Sequence, residues 1–111
     1  MAGIRKISVR IDTELKGEFE RVLEGIGLDP TNTMRSFAFQ VAREGALPFE
    51  PSPVKFEMGG KTAVTSFKVA REIGDDAEAV LQGLGMNYSS AVRLLALQTI
   101  AEGAIPFRAG A

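Results

Sequence analysis

Apolar and polar positions alternate at the start of the chain: Ile7, Val9 and Ile11 fall on one side, Lys6, Ser8 and Arg10 on the other. This period of two predicts a half-buried strand over 5–11. The period then lengthens. Leu15, Phe19, Val22, Leu23 and Ile26 recur at helical spacing behind Asp12, which suits an N-cap, and Gly25 and Gly27 offer a stop. A second helix opens on Asp29 as N-cap with Pro30 at the first helical position, where its missing N–H costs nothing. Met34, Phe37, Ala38 and Val41 form its inner stripe, and Gly45 and Pro48 end it.

The same pattern then returns. One fixed shift aligns residues 4–49 with 62–107 without a gap. Glu44-Gly45-Ala46-Leu47-Pro48-Phe49 meets Glu102-Gly103-Ala104-Ile105-Pro106-Phe107, Val22-Leu23 meets Val80-Leu81, and Ser8 meets Ser66. Arg35, Ala38 and Gln40 meet Arg93, Ala96 and Gln98. The second strand, 63–69, puts Thr65, Phe67 and Val69 inward and Val64, Ser66 and Lys68 outward. Ile73, Ala77, Val80, Leu81 and Leu84 serve its first helix; Val92, Leu95, Ala96 and Ile100 serve its second, with Asn87 as N-cap. Two copies are too few for a solenoid, which needs about three. They suit a paired arrangement instead.

A unit of about 46 residues with one strand and two helices lies near the lower limit for folding alone. Its single strand also leaves ladder groups unpaired. Antiparallel pairing of the two strands answers both problems and predicts a two-stranded ribbon lying on four helices. The expected division is a first half over 1–50, a connection over 51–61 punctuated by Pro51, Pro53, Gly59 and Gly60, and a second half over 62–111, together one compact domain.

Composition narrows the chemistry. The chain has neither cysteine nor histidine, so disulfides, thiolate metal sites and every His-dependent catalytic arrangement are excluded. No phosphate-loop signature is present; the Gly83 and Gly85 pair reads as a helix end. The expectation is a non-enzyme with no cofactor and no metal. The opening residues read as a strand instead of a cleavable signal, and no apolar run approaches the roughly 20 residues needed to cross a bilayer, so a cytoplasmic protein is expected. Net charge is only −1, yet Arg5-Lys6-Ile7-Ser8-Val9-Arg10 holds three cations and no acid.

Val9-Arg10-Ile11-Asp12, Glu14-Leu15-Lys16, Val22-Leu23, Gly25-Ile26-Gly27-Leu28, Val41-Ala42-Arg43-Glu44 and Ala46-Leu47-Pro48-Phe49 together resemble the RelB/DinJ antitoxins, closely over 4–50 and more loosely over 62–107. The resemblance implies a ribbon-helix-helix fold, α+β and mainly α, here as two βαα repeats forming an intrachain pseudo-dimer. It implies a protein that pairs through its strand, puts the ribbon in the major groove, represses its own operon and silences a toxin with a C-terminal tail. Only four residues follow Phe107, so the expectation carried over is DNA binding, with the tail's role not carried over.

On that reading the base-reading residues are Lys6, Ser8 and Arg10 on one strand and Val64, Ser66 and Lys68 on the other, outward polar groups at period two with Val64 set to meet a thymine methyl. The bland alternative is the solvated face of a sheet. Phosphates are expected against Arg5 and the starts of the second helices, at Thr31, Asn32, Asn87, Ser89 and Ser90, where free amides and the helix dipole favour anions; helix capping is the competing explanation. An asymmetric DNA site follows from the differences between copies. Phe39, Leu94, Leu97 and Ala101 suggest an outer apolar patch for self-association on DNA or for another protein, set against a simple widening of the core stripe. Expected partners are therefore double-stranded DNA, a toxin or other protein, and a second molecule on DNA, with no membrane. The alternative function is a protein-binding module on the same scaffold, sequestering a toxin or inhibiting a host nuclease system, with Glu14, Glu18, Asp75 and Asp76 facing a basic partner.

Overall fold

The computed structural model describes residues 3–108. The elements run β1 (Ile4–Asp12), α1 (Thr13–Gly25), α2 (Pro30–Glu44), β2 (Thr62–Ala70), α3 (Arg71–Gly83) and α4 (Tyr88–Glu102). The two strands pair antiparallel in one two-stranded sheet. The architecture is thus mixed α and β, mainly helical, and consistent with a ribbon-helix-helix fold.

Local chemistry accounts for the boundaries. The Asp12 carboxylate accepts the amides of Glu14 and Leu15 at 3.0 and 3.1 Å, which starts α1. Asp29 and Asn87 cap α2 and α4 in the same way, through Asn32 and Ser90. Gly45 and Gly103 close these two helices in the left-handed conformation, which a side chain would resist. The expected helix faces shift slightly at their ends. Ile26 and Leu84 fall just past α1 and α3 and are exposed, because the chain leaves the helix before it would bury them.

Packing crosses between the halves. Helix α1 lies against α4 and α2 against α3, while α4 touches β1 and α2 touches β2. Ile7, Val9, Ile11, Phe67 and Val69 on the ribbon's inner face join Leu15, Phe19, Leu23, Phe37, Leu81 and Leu95 in a single buried cluster. Phe37 lies 6.1 Å from Phe49 and 6.0 Å from Phe107, ring centre to ring centre, so the aromatic ends of both repeats meet on one residue. Helix α4 is apolar nearly all round, the mark of a buried helix. The segment joining α2 to β2 passes along it: Ser52 exchanges hydrogen bonds with Gln98, and Phe56 packs against the core. The segment then reaches the corner between β1 and α1, where Gly60 donates to Asp12 and Thr13 donates to the Lys61 carbonyl.

A candidate nucleic-acid interface

Register sets the candidate surface. Lys6 lies opposite Lys68, Ser8 opposite Ser66 and Arg10 opposite Val64. Ser8 therefore meets its own repeat counterpart at the middle of the ribbon. All six side chains point away from the helices: Lys6, Ser8, Arg10, Val64 and Lys68 are exposed and Ser66 is half-buried. The face holds three cations and no acid among these six positions. Like charges directly opposite one another destabilise a strand pair by roughly 0.2–1 kcal/mol. The Lys6–Lys68 pair thus costs the fold something, and an anionic ligand would offset it.

Arg10 is partly fixed, since its guanidinium donates to Thr62 Oγ1 at 3.1 Å across the ribbon. Its carboxylate neighbour, Asp12, is satisfied elsewhere. Desolvation works against the Asp12 charge, but the amides of Leu15, Gly60, Gly59 and Glu14 outweigh it and hold the carboxyl below the usual carboxylate range.

The helix N-termini flank the two edges of the ribbon. On the β1 edge the Arg10 amide donates to Ser89 Oγ at 3.0 Å, and Asn87 accepts both the amide and the hydroxyl of Ser90. On the β2 edge Arg35 Nε donates to the Lys68 carbonyl at 2.8 Å, and its guanidinium also donates to Asn32 Oδ1. These contacts satisfy backbone groups that an open edge would leave bare. They also change the expected phosphate contacts. Asn32 has its amide held by Asp29 and its side-chain oxygen by Arg35. Thr31 is half-buried. Capping explains the Asn87 carboxamide, as the competing explanation had it.

Arg5 is placed differently from the other cations of its run. It shares the inward side of β1 with Ile7, so its guanidinium turns toward α3. There it meets Asp75 at 2.8 Å and Glu78 at 3.1 Å, and it lies 5.9 Å from the centre of the Tyr88 ring. Two carboxylates neutralise it, and a phosphate would have to compete with both. Glu78 in turn raises the Arg5 pKa, desolvation opposes this, and Asp75 adds to the rise. Gly74 makes room: a Cβ there would come within 3.0 Å of the Arg5 side chain and 3.1 Å of Val69. Asp75 is therefore not free for a basic partner, and Glu18 pairs with Arg21.

The four residues of the expected apolar patch are not equally exposed. Leu97 packs against the core and Leu94 is half-buried; Phe39 and Ala101 remain exposed. The wider-stripe alternative describes Leu97.

Arg93 was the missed residue. It lines an open cleft of about 480 Å³ with Arg10, Asp12, Met58, Thr62 and Ser89. Unlike Arg35, its repeat counterpart, it has no hydrogen-bond or ion-pair partner among the described residues. The signal was present in the alignment of Arg35 with Arg93, but nothing local said that the second turn of the helix would reach the strand.

No group of three acidic residues among those described is placed to hold a metal, and no described helix is long and apolar enough to cross a membrane. Paired strands with a cationic outer face thus lie on four helices. Residues 4–57 match the family model of the RelB antitoxin, which supports a RelB-type antitoxin and a toxin–antitoxin role. The match covers the first βαα unit and ends within the connection; residues 62–107 lie outside it. No curated protein and no solved structure matches the chain.

Proposed function

We propose that the chain is a duplicated ribbon-helix-helix half, folded as a single-chain pseudo-dimer, and that it represses its own operon as an antitoxin-type regulator by laying the ribbon in the major groove. One observation carries this reading: Lys6, Ser8, Arg10, Val64, Ser66 and Lys68 share one outward face around the Ser8–Ser66 pair. A two-stranded ribbon fits the groove, where each base pair shows its own donor and acceptor pattern. Lysine and arginine supply the donors that guanine O6 and N7 accept. Arg93, beside the ribbon and without a partner among the described residues, is the better phosphate contact than Arg5. The family match supports the antitoxin part of the reading.

The test is a gel shift on the duplex upstream of the protein's own gene at two salt concentrations. A repressor retards that fragment in preference to unrelated DNA of equal length. Its log affinity falls with log salt by about 0.9 for each phosphate neutralised. Equal retardation of both fragments, or none at low salt, would overturn the reading.

A further inference from the structure

This inference rests on the DNA-binding reading and deepens it. Antiparallel pairing sets Lys6 against Lys68, not against its own counterpart Val64, and sets Arg10 against Val64. Cations therefore gather unevenly. One end of the ribbon carries two facing ammonium groups, with Ile4 (64% exposed) and Ala70 beyond them. The other end carries one guanidinium opposite an apolar side chain that is 57% exposed, with Asp12 and Thr62 beyond.

The flanks are uneven in the opposite sense. Arg35, at the lysine end, is spent on the Lys68 carbonyl and Asn32. Arg93, at the arginine end, lines the cleft beside Arg10 and Thr62 with no partner among the described residues. Two lysines donate and cannot accept, which suits adjacent guanine edges. An arginine fork suits one guanine in two-pronged contact, and an exposed valine offers only van der Waals contact, which a thymine methyl accepts.

We propose that the ribbon is polar and seats on duplex DNA in one orientation: Lys6 and Lys68 over guanines in one half of a non-palindromic site, Arg10 and Val64 over a guanine beside a thymine in the other. A symmetric dimer of identical chains has no such preference, because its two ends are the same. Here the ends differ by a whole charge and by which flanking arginine is free.

Selection, substitution and directed cleavage decide it. Selection from a pool of random-sequence duplexes should yield a non-palindromic consensus, guanine-rich at one end. Lys68→Ala should weaken binding about ten-fold, the effect of losing one good base contact, and should relax the preference in the guanine-rich half alone. Val64→Lys, at an exposed site that leaves the core untouched, should move the consensus toward a palindrome. Since the chain has no cysteine, Lys61→Cys gives a unique attachment point beside Thr62 for a DNA-cleaving iron chelate. Cuts on one flank of the selected site support a single orientation. A palindromic consensus, or equal cutting on both flanks, overturns the proposal and leaves DNA binding standing. No retention of duplex from the pool at low salt overturns the DNA-binding reading itself, and this inference with it.

Discussion

The two halves match in plan and differ in finish. Each has a strand of 9 residues and helices of 13 and 15. Helix α1 is capped by Asp12, whereas α3 starts from Ala70 with no side-chain cap, though the two caps have nearly the same backbone angles. Gln98 is hydrogen-bonded to Ser52 and Glu102, whereas the buried Gln40 leaves its Nε2 without a partner among the described residues. Arg35 latches onto the facing strand and Arg93 does not. The interior is built by both halves together, and equivalent buried positions differ in size, Phe19 against Ala77 and Phe37 against Leu95. The caps each belong to one half, whereas the outward face takes three residues from each strand and the flanking helices reach the strand of the other half. On the proposed duplication, one half can change without the other, which identical subunits cannot do.

The strongest test of shared interior against separate finish is the core. Leu23→Ala and Leu81→Ala, at equivalent fully buried positions, should each cost about 2–5 kcal/mol and shift one common denaturation transition. Two separate transitions in either variant would break the comparison by showing halves that fold independently. Next comes the reading face. Arg10→Ala should weaken specific DNA binding by about 1–3 kcal/mol while leaving the denaturation midpoint in place; unchanged affinity for the selected duplex would remove Arg10 from the contact set.

The caps come third. Asp12→Ala should lower the stability, and Ala70→Asp should recover part of that loss in the other half, since the helix start at Ala70 has the same geometry and no side-chain cap. The Asp12 carboxyl is held below its ordinary range, so its contribution is present above about pH 4 and fades as pH falls through the lowered value. A flat urea midpoint across that acid range in Asp12→Ala, beside a falling one in the parent, would isolate it. For the glutamines, Gln98→Met should cost roughly 0.5–1.5 kcal/mol because Ser52 loses its acceptor, while Gln40→Met should be neutral or slightly stabilising. Equal costs would mean that the two environments are not as different as their hydrogen bonds.

The smallest effect belongs to Tyr88, which donates to the Gly74 carbonyl at 2.7 Å. Burial, resisted by Arg5 and aided by Glu78 and Asp75, pushes its hydroxyl up to about 12. The neutral form is thus favoured by folding. Its contribution is complete below the unfolded value near 10 and is lost as pH rises toward 12. It is the one tyrosine in the chain, so near-ultraviolet titration reads it directly; ionisation near 10 in the folded protein would contradict the buried contact.

Much of this was legible beforehand because it is local. Alternation fixes which side of a strand faces the core, so Ile7, Val9 and Ile11 could be told from Lys6, Ser8 and Arg10. Asp12, Asp29 and Asn87 cap amides two or three residues away. The failures were all long-range. Arg5 sits in the same basic run as Lys6 and Arg10, and nothing in that run shows that Asp75 and Glu78 will meet it. Leu97, which its own helix leaves outside the inner stripe, packs partly against the shared core.

The amino-acid order alone determined the elements, the repeat and the outward set of side chains, because hydrophobic period and capping act within a turn or two of the chain. Only the tertiary structure decided which side chain faces which: Lys6 beside Lys68, Arg10 beside Val64, Arg35 held and Arg93 free. Those choices depend on strand register and on helices arriving from the other half. They join residues far apart in the chain, whose meeting is fixed by the packing of the whole core and by no local pattern.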